Sequence, residues 1–371
     1  ITQEDALPGL RQGRGEIHTG GCFPHAAFLI HNRNGFCHVG TYFLKIPNKV
    51  EMLMLIYYSK RGRPLQGEKR KSREKEEKQG MFGECHAHII MDGVNYRRAV
   101  DMHKNGPDDQ IIKAHLKAYQ DKGITFVRDG GDALGVSLRA KEIAPEYGID
   151  YRTPVFAIHK EGHYGSIVGK SFATMREFHD RVLEAKKAGA DFIKIMTTGI
   201  MDFNAHGAVT GTPLDAAEVK EMVHIAHEEG MNVMSHTNGD YGVQAAVEAG
   251  VDSLEHGNYM NEDSLAMLAQ SHTVWVPTLV TVRNLMGDGR YEDEVLWPII
   301  ESAKENVRKA FQLGIKVAPG SDAGAYRVLH GQGIQDEMDS FVEFLEEEKR
   351  DDVYRWLADG EAEIKKKFMR L

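Results

Sequence analysis

From residue 81 onward the chain repeats one pattern eight times, a short β-like run followed by a longer stretch of helical periodicity. This order limits the fold more than any other feature, because neighbouring parallel strands need long crossover connections and helices supply them. The runs are "FGECHAHI", "TFVRDGG", "RTPVFAI", "DFIKIMTT", "NVMSHT", "DSLEHGN", "VWVPTLV" and "KVAPGSDA". Between them lie helical stretches such as "SFATMREFHDRVLEAKKAGA", "TPLDAAEVKEMVHIAHEEG" and "DEVLWPIIESAKENVRKAFQLG". Several stop at a glycine just before the next strand, where a helix C-cap is expected. Eight uninterrupted β-α units predict an α/β protein of the (β/α)8 TIM barrel type over residues 81–348. A doubly wound open sheet is the alternative, but the glycine-rich dinucleotide fingerprint after the first strand is missing.

The flanks read differently. Up to about residue 59 the start of the chain holds glycines, aromatics and scattered histidines without ligand-like spacing. It is read as a β-rich region, and its apolar run "VEMLMLIYY" at 50–58 predicts a strand, being about half the roughly 20 residues that a membrane span needs. Residues 60–79, "KRGRPLQGEKRKSREKEEKQ", are basic and charge-dense with little to bury, which predicts a solvated linker more readily than a nucleic-acid surface. The tail, 349–371, is a charged helical run. A formal charge of −9 and a pI near 6.1 leave no global basic field, so a small molecule, not nucleic acid or membrane, is the expected partner. The cysteines Cys22, Cys37 and Cys85 are too few and scattered for a disulfide framework or a Cys-rich zinc site. With no signal-peptide pattern at the start, a cytoplasmic protein is expected.

Active sites of such barrels sit at the C-terminal ends of the strands. The first run ends in His86 and His88, which on an extended strand share one face about 6.5–7 Å apart and can grip one metal ion. The fourth carries Lys194, the fifth His236, the sixth His256 and the eighth Asp322. Singly, each has an ordinary explanation: a wet strand face, a strand-end cap, a surface amine, a turn aspartate. Jointly, those explanations require a run of coincidences. Four imidazoles and a carboxylate suit Zn²⁺ or a similar first-row divalent ion with one position left open for water. An ammonium has no lone pair, so Lys194 fits among metal ligands only once desolvation has removed its proton. The neutral amine can then take up CO₂ and become a carbamate able to bridge two ions.

His-x-His on strand one, Lys on strand four, His on strands five and six and Asp on strand eight together resemble the amidohydrolase superfamily, in particular its dipeptidase and imidazolonepropionase-like branches. The resemblance implies that His86 and His88 hold one ion with Asp322, that carboxylated Lys194 bridges, and that His236 and His256 hold a second Zn²⁺. "EGHYG" at 161–165 is similar to the glycine-rich loop after strand three in the dipeptidase-like members, which makes His163 a candidate contact for substrate or oxyanion. Two departures stand out: members of this family build a small β-sandwich from both chain ends, whereas here the start is weakly patterned and the tail has no closing strands, so the sandwich is expected to be incomplete. The implied activity is hydrolysis of a C–N amide bond, in a dipeptide or N-acyl amino acid, by a metal-bridging hydroxide with Asp322 moving the proton. A mononuclear hydrolase of a cyclic amide or imidazolone with Lys194 unmodified is the main rival, and a catalytically degraded metal-binding relative is another. Deamination is disfavoured, because no glutamate follows His236 in "HTNGDYG". A homo-oligomer is compatible with all of these readings.

Overall fold

A computed structural model describes residues 82–369, together with the backbone of two short strands, Tyr42–Ile46 (β1) and Lys49–Leu53 (β2). The chain divides into two compact units, Ile1–Glu76 and Glu77–Leu371. In the first, β1 and β2 pair antiparallel with Tyr42 opposite Leu53, so a strand does form at the start of the "VEMLMLIYY" run. The rest of the expected β-rich start, the basic linker and any sandwich lie outside the described residues.

The second unit is built on parallel strands. Glu84–Ala87 (β3), Phe126–Asp129 (β4) and Asp150–Arg152 (β5) form a three-stranded sheet in chain order. Ala157–Lys160 (β6), Gly169–Phe172 (β7), Ile193–Met196 (β8), Val233–Thr237 (β9), Ser253–His256 (β10) and Val274–Val276 (β11) form a six-stranded sheet in the order β11-β10-β9-β8-β6-β7. Most connections carry at least one helix, among them Asp109–Asp121, Met175–Lys187, Ala216–Glu228, Asp240–Ala249 and Asp293–Leu313, whereas β5 to β6 and β6 to β7 are joined by short helix-free segments. Among the described residues no helix is long and apolar enough to cross a membrane.

This is a TIM-barrel-like arrangement with two departures from the predicted ring. The run "RTPVFAI" forms no single strand. Its start belongs to β5, which pairs with β4, and its end to β6, which pairs with β8. Pro154 between them has no N–H to donate and Val155 takes a left-handed φ of 67°, so the ladder cannot continue. The eighth run, "KVAPGSDA", makes isolated hydrogen bonds and no regular strand. Trp275 N donates to Lys316 O (2.9 Å), Ala318 N to Trp275 O (2.9 Å), Cys85 N to Pro319 O (3.1 Å) and Asp322 N to His86 O (2.7 Å), which ties the segment to β11 on one side and β3 on the other. Pro319 and the positive φ of Asp322 (61°) interrupt regular pairing there. A further correction concerns residues 171–174. They were expected to open a helix, but Ser171 and Phe172 belong to β7, and the helix starts at Met175 behind Thr174, whose Oγ1 accepts from Glu177 N (3.3 Å).

The tail is helical over Arg350–Lys367 and is part of the second compact unit. Its Ile364 and the following Phe368 complete a buried cluster with Cys85 of β3, Phe126 of β4, Phe192 just before β8, Met234 of β9, Val274 and Val276 of β11, and Ala318 of the eighth segment. Arg152 Nη1 and Asn232 Nδ2 also reach the carbonyls of its last turn, at Phe368 and Lys367. The helix comes so close to the eighth segment that a Cβ on Gly360 would lie 1.9 Å from Val317 O. Gly360→Ala therefore sets a helix-propensity gain of about 1 kcal/mol against overpacking on rigid backbone, which typically costs about 1–3 kcal/mol and more at so short a distance. The expected outcome is a net loss of stability and a melting temperature several degrees lower. A raised melting temperature would show that the helix does not dock on Val317.

Candidate metal centre

All six expected metal-binding residues meet at one end of the strands, five of them buried and Asp322 partly so. His86 and His256 have ring centroids 5.0 Å apart, His236 and His256 4.6 Å, and His86 and His88 5.5 Å. Lys194 Nζ lies 3.4 Å from His86 Nε2 and 3.2 Å from His88 Nε2, and Asp322 Oδ1 lies 3.6 and 3.8 Å from the same two nitrogens. Ligand atoms of His86, His256 and Asp322 all fall within 4.8 Å of one another. That compact set joins residues that the resemblance divides between two ions. His236 stands beside it with Nε2–H donating to Gly199 O (3.1 Å).

The surroundings fix which nitrogen of each ring faces inward. Glu255 Oε2 lies 2.6 Å from His86 Nδ1, and both Glu255 oxygens accept from Arg128 Nη2 (2.8 and 3.1 Å). Held by that guanidinium, the carboxylate keeps the proton on Nδ1 and leaves the Nε2 lone pair toward the centre. His256 Nδ1 is engaged by Thr278 Oγ1 (2.8 Å), again leaving Nε2 inward. Glu84 accepts from the backbone N–H of His86 (3.2 Å) and of Ser321 (2.7 Å) and from Ser321 Oγ (2.5 Å), which registers strand one against the segment carrying Asp322. Asp129 takes the N–H of Ile89 (2.7 Å) and Gly131 (2.6 Å) and so shapes the turn after His88. At Gly130 any Cβ would lie 2.2 Å from His88 Cε1 and 2.5 Å from Lys194 Nζ, so only glycine fits. His256 and Asp322 both adopt left-handed φ values, 67° and 61°, a strain that persists where the surroundings over-determine it.

Electrostatically the cluster suits a cation. Burial holds His86, His88 and His256 well below the ordinary imidazole range and brings His236 down to about 3, with the Lys194 charge acting in the same direction on all four. All four rings are therefore neutral at pH 7, with lone pairs available. Burial also lowers Lys194, although Asp322, Glu255 and Asp129 oppose the shift. Asp322 is pushed up to about 6 by burial, with Lys194 pulling the other way. Its Oδ1 is buried and, among the described residues, accepts no hydrogen bond. An unsatisfied carboxylate oxygen facing neutral imidazoles is the donor set of a divalent metal.

Above the cluster opens a cavity of about 280 Å³, near the lower end of small-molecule sites. His88, Lys194, His236, His256 and Asp322 line it together with apolar side chains of the β8 and β11 loops. Of the expected site residues, His86 lies buried behind this cavity's lining and His163 lies outside it. His163 borders a neighbouring cleft with Lys160 and Glu218, while the adjacent Tyr164 lines both spaces and sets its ring 5.1 Å from that of His236. The sequence reading also passed over Glu255 and Arg128. A signal existed for the first: Ser253 and Glu255 are polar at i and i+2 in a buried run, the period of one strand face.

The amidohydrolase family profile matches residues 85–354. Ochratoxinase of Aspergillus niger is 27% identical over 210 residues, 54% of this chain and 41% of that protein. An uncharacterised protein of Mycobacterium tuberculosis is 29% identical over 126 residues, 32% of this chain and 34% of that protein. The chain thus aligns with less than half the length of these relatives. Among solved structures, a Xaa-Pro dipeptidase with methionine in its active site superposes with a TM-score of 0.61 at 21% identity, covering 78% of this chain and 75% of that one. The ochratoxinase structure gives 0.62 at 18% identity, covering 76% and 71%. These likenesses carry the fold, and the profile match spans most of the parallel α/β unit together with the residues that build the centre. The chain belongs to the amidohydrolase family.

Proposed function

We propose that the protein is a metal-dependent hydrolase of a C–N amide bond, with a dipeptide or N-acyl amino acid as substrate class. The observation that carries this reading is the unsatisfied Oδ1 of Asp322 among four neutral imidazoles at the base of a small-molecule cavity. His86, His88 and Asp322 would hold one divalent ion, Zn²⁺ by the chemistry of the donors, and His236 and His256 a second, with Lys194 between them as its carbamate. Bound there, the metal supplies an acidified water and polarisation of the scissile carbonyl. The chain's own part is distinct. The Glu255–Arg128 pair holds His86 in one tautomer, and the buried strand ends exclude bulk water. Asp322, raised toward neutrality, takes a proton from the attacking water and returns it to the leaving nitrogen. Lys194, whose ammonium form burial disfavours, adds as the neutral amine through Nζ to CO₂ and releases one proton. His163 takes the role of contacting a group that extends into the neighbouring cleft.

A second reading, a mononuclear hydrolase of a cyclic amide with Lys194 unmodified, draws support from the compact His86, His256 and Asp322 set and from the bond between His236 Nε2 and Gly199 O. Elemental analysis separates the two, at about two ions per chain or about one.

Replacing His86 or His88 with Ala should remove bound metal and nearly all hydrolysis while circular dichroism shows an intact fold, because a lost ligand costs affinity before it costs folding. Full metal content and turnover in His86→Ala would mean that the histidines are ordinary strand residues. Asp322→Asn keeps an oxygen of similar size but cannot take up a proton, so turnover on N-acyl amino acids should fall about 100- to 10,000-fold, the range of general acid and base contributions. A loss of only a few-fold would exclude Asp322 as the proton carrier. Lys194→Ala should lose about one ion per chain, and added formate or acetate should recover part of the activity by offering a bridging carboxylate. An unchanged metal count with no response to carboxylate would favour the mononuclear enzyme.

A further inference from the structure

Away from the metal cluster the cavity is mainly apolar, with walls that include Ile167, Met201, Phe203, Leu285, Tyr291 and Tyr326 beside the neutral polar Asn238, Asn258 and Thr281. Among its described lining residues, three carry lysine, arginine or carboxylate groups, and two of these, Lys194 and Asp322, belong to the centre. The third is Arg290. It is exposed, and among the described residues no carboxylate lies within ion-pair distance of it. Of the two acidic residues nearest in sequence, Asp288 and Glu292, neither pairs with it, and Asp288 is already engaged by Arg327 Nε (3.2 Å) and by Tyr326 O–H (2.9 Å).

Arg290 is nevertheless held in place. Its guanidinium carbon lies 4.4 Å from the Tyr326 ring centroid and 5.4 Å from that of Tyr291. Both rings are themselves fixed, Tyr326 by Asp288 and Tyr291 by stacking on Phe203 at 5.2 Å with 29° between the planes. Aromatic faces support a guanidinium while leaving its N–H edge free, and that planar edge matches a carboxylate with two parallel hydrogen bonds. A positioned cation with an unused edge, at the rim of an apolar cavity whose other charges serve the metal, is a recognition element for an anion on a hydrophobic body.

We propose that Arg290 is the carboxylate clamp of this enzyme, and that it selects N-acyl amino acids with an apolar side chain and a free α-carboxylate over their neutral carboxamides. The assignment rests on the amidohydrolase reading for its substrate class but concerns binding, so the two can fail separately. The probes are N-(phenylsulfonyl)leucine and its carboxamide, in which a sulfonamide that resists hydrolysis replaces the amide. Their affinities for the metal-loaded full-length chain are measured by calorimetry.

The parent protein should prefer the acid by about tenfold or more, the scale of a charge-assisted bidentate contact. In Arg290→Ala the acid-to-carboxamide ratio should fall to about one, and Arg290→Lys should keep part of it. A parent protein that does not distinguish the two probes, or binds neither, overturns the assignment. So does an acid preference that survives in Arg290→Ala, since the carboxylate would then be read by the metal centre. A preference that depends on Arg290, in a protein that hydrolyses no N-acyl amino acid, would uphold the clamp and refute the proposed activity. Because Arg290 is exposed on a loop, its replacement is not expected to disturb folding.

Discussion

The contact between Glu255 and Arg128, both fully buried, underlies the rest of the site. Arg128 on β4 also donates through Nε to Cys85 O (2.7 Å) on β3 and through Nη1 to Ser253 Oγ (2.7 Å) on β10, so one guanidinium ties three strands that are distant in sequence. Beneath it lie the rings of Phe368 and Phe192, at 4.5 and 5.9 Å from its central carbon. A buried ion pair contributes little net stability over an apolar pair, but removing one partner typically costs about 3–5 kcal/mol because a charge is left unpaired. What this pair provides is definition. It places a carboxylate beside His86 and settles which imidazole nitrogen faces His256 and Asp322.

The same logic extends outward. Glu84 and Asp129 are buried carboxylates whose partners are mainly backbone N–H groups next to site residues, and burial raises both to about 7. Each gives an irregular stretch of chain the hydrogen bonds that a regular ladder would otherwise supply, at Ser321 before Asp322 and at Ile89 after His88. The breaks in the predicted barrel and the construction of the site thus have a common cause. Asp322 reaches the cluster because its segment leaves regular strand geometry, and a buried acid satisfies the backbone at that place.

Seven of the eight predicted strands could be read from runs of β-prone residues, although the third is divided in two, and so could the residue types at their ends. Lys194 was identifiable because a lysine inside "DFIKIMTT" has no good apolar explanation, and the structure buries it among imidazoles. The eighth run was legible as a position but not as a strand: Pro319 and Gly320 weaken pairing, and whether neighbouring strands compensate depends on tertiary contacts. His163 shows a different limit of sequence reading. Its motif was noticed, but the backbone turn at 161–165 places Tyr164, not His163, on the cavity.

What the sequence by itself determined is the repeating β-α order and the chemistry at the strand ends, since both follow from local periodicity and from residue types that are costly to bury without a function. Only the tertiary structure decided how these groups combine: which histidines draw closest to Asp322, that Glu255 and Arg128 orient His86, that the charged tail forms part of the packed core, and that Arg290 lines the cavity with no carboxylate partner among the described residues. These are relations between residues tens to more than two hundred positions apart, and no local pattern encodes a distance that is set by the packing of the whole domain.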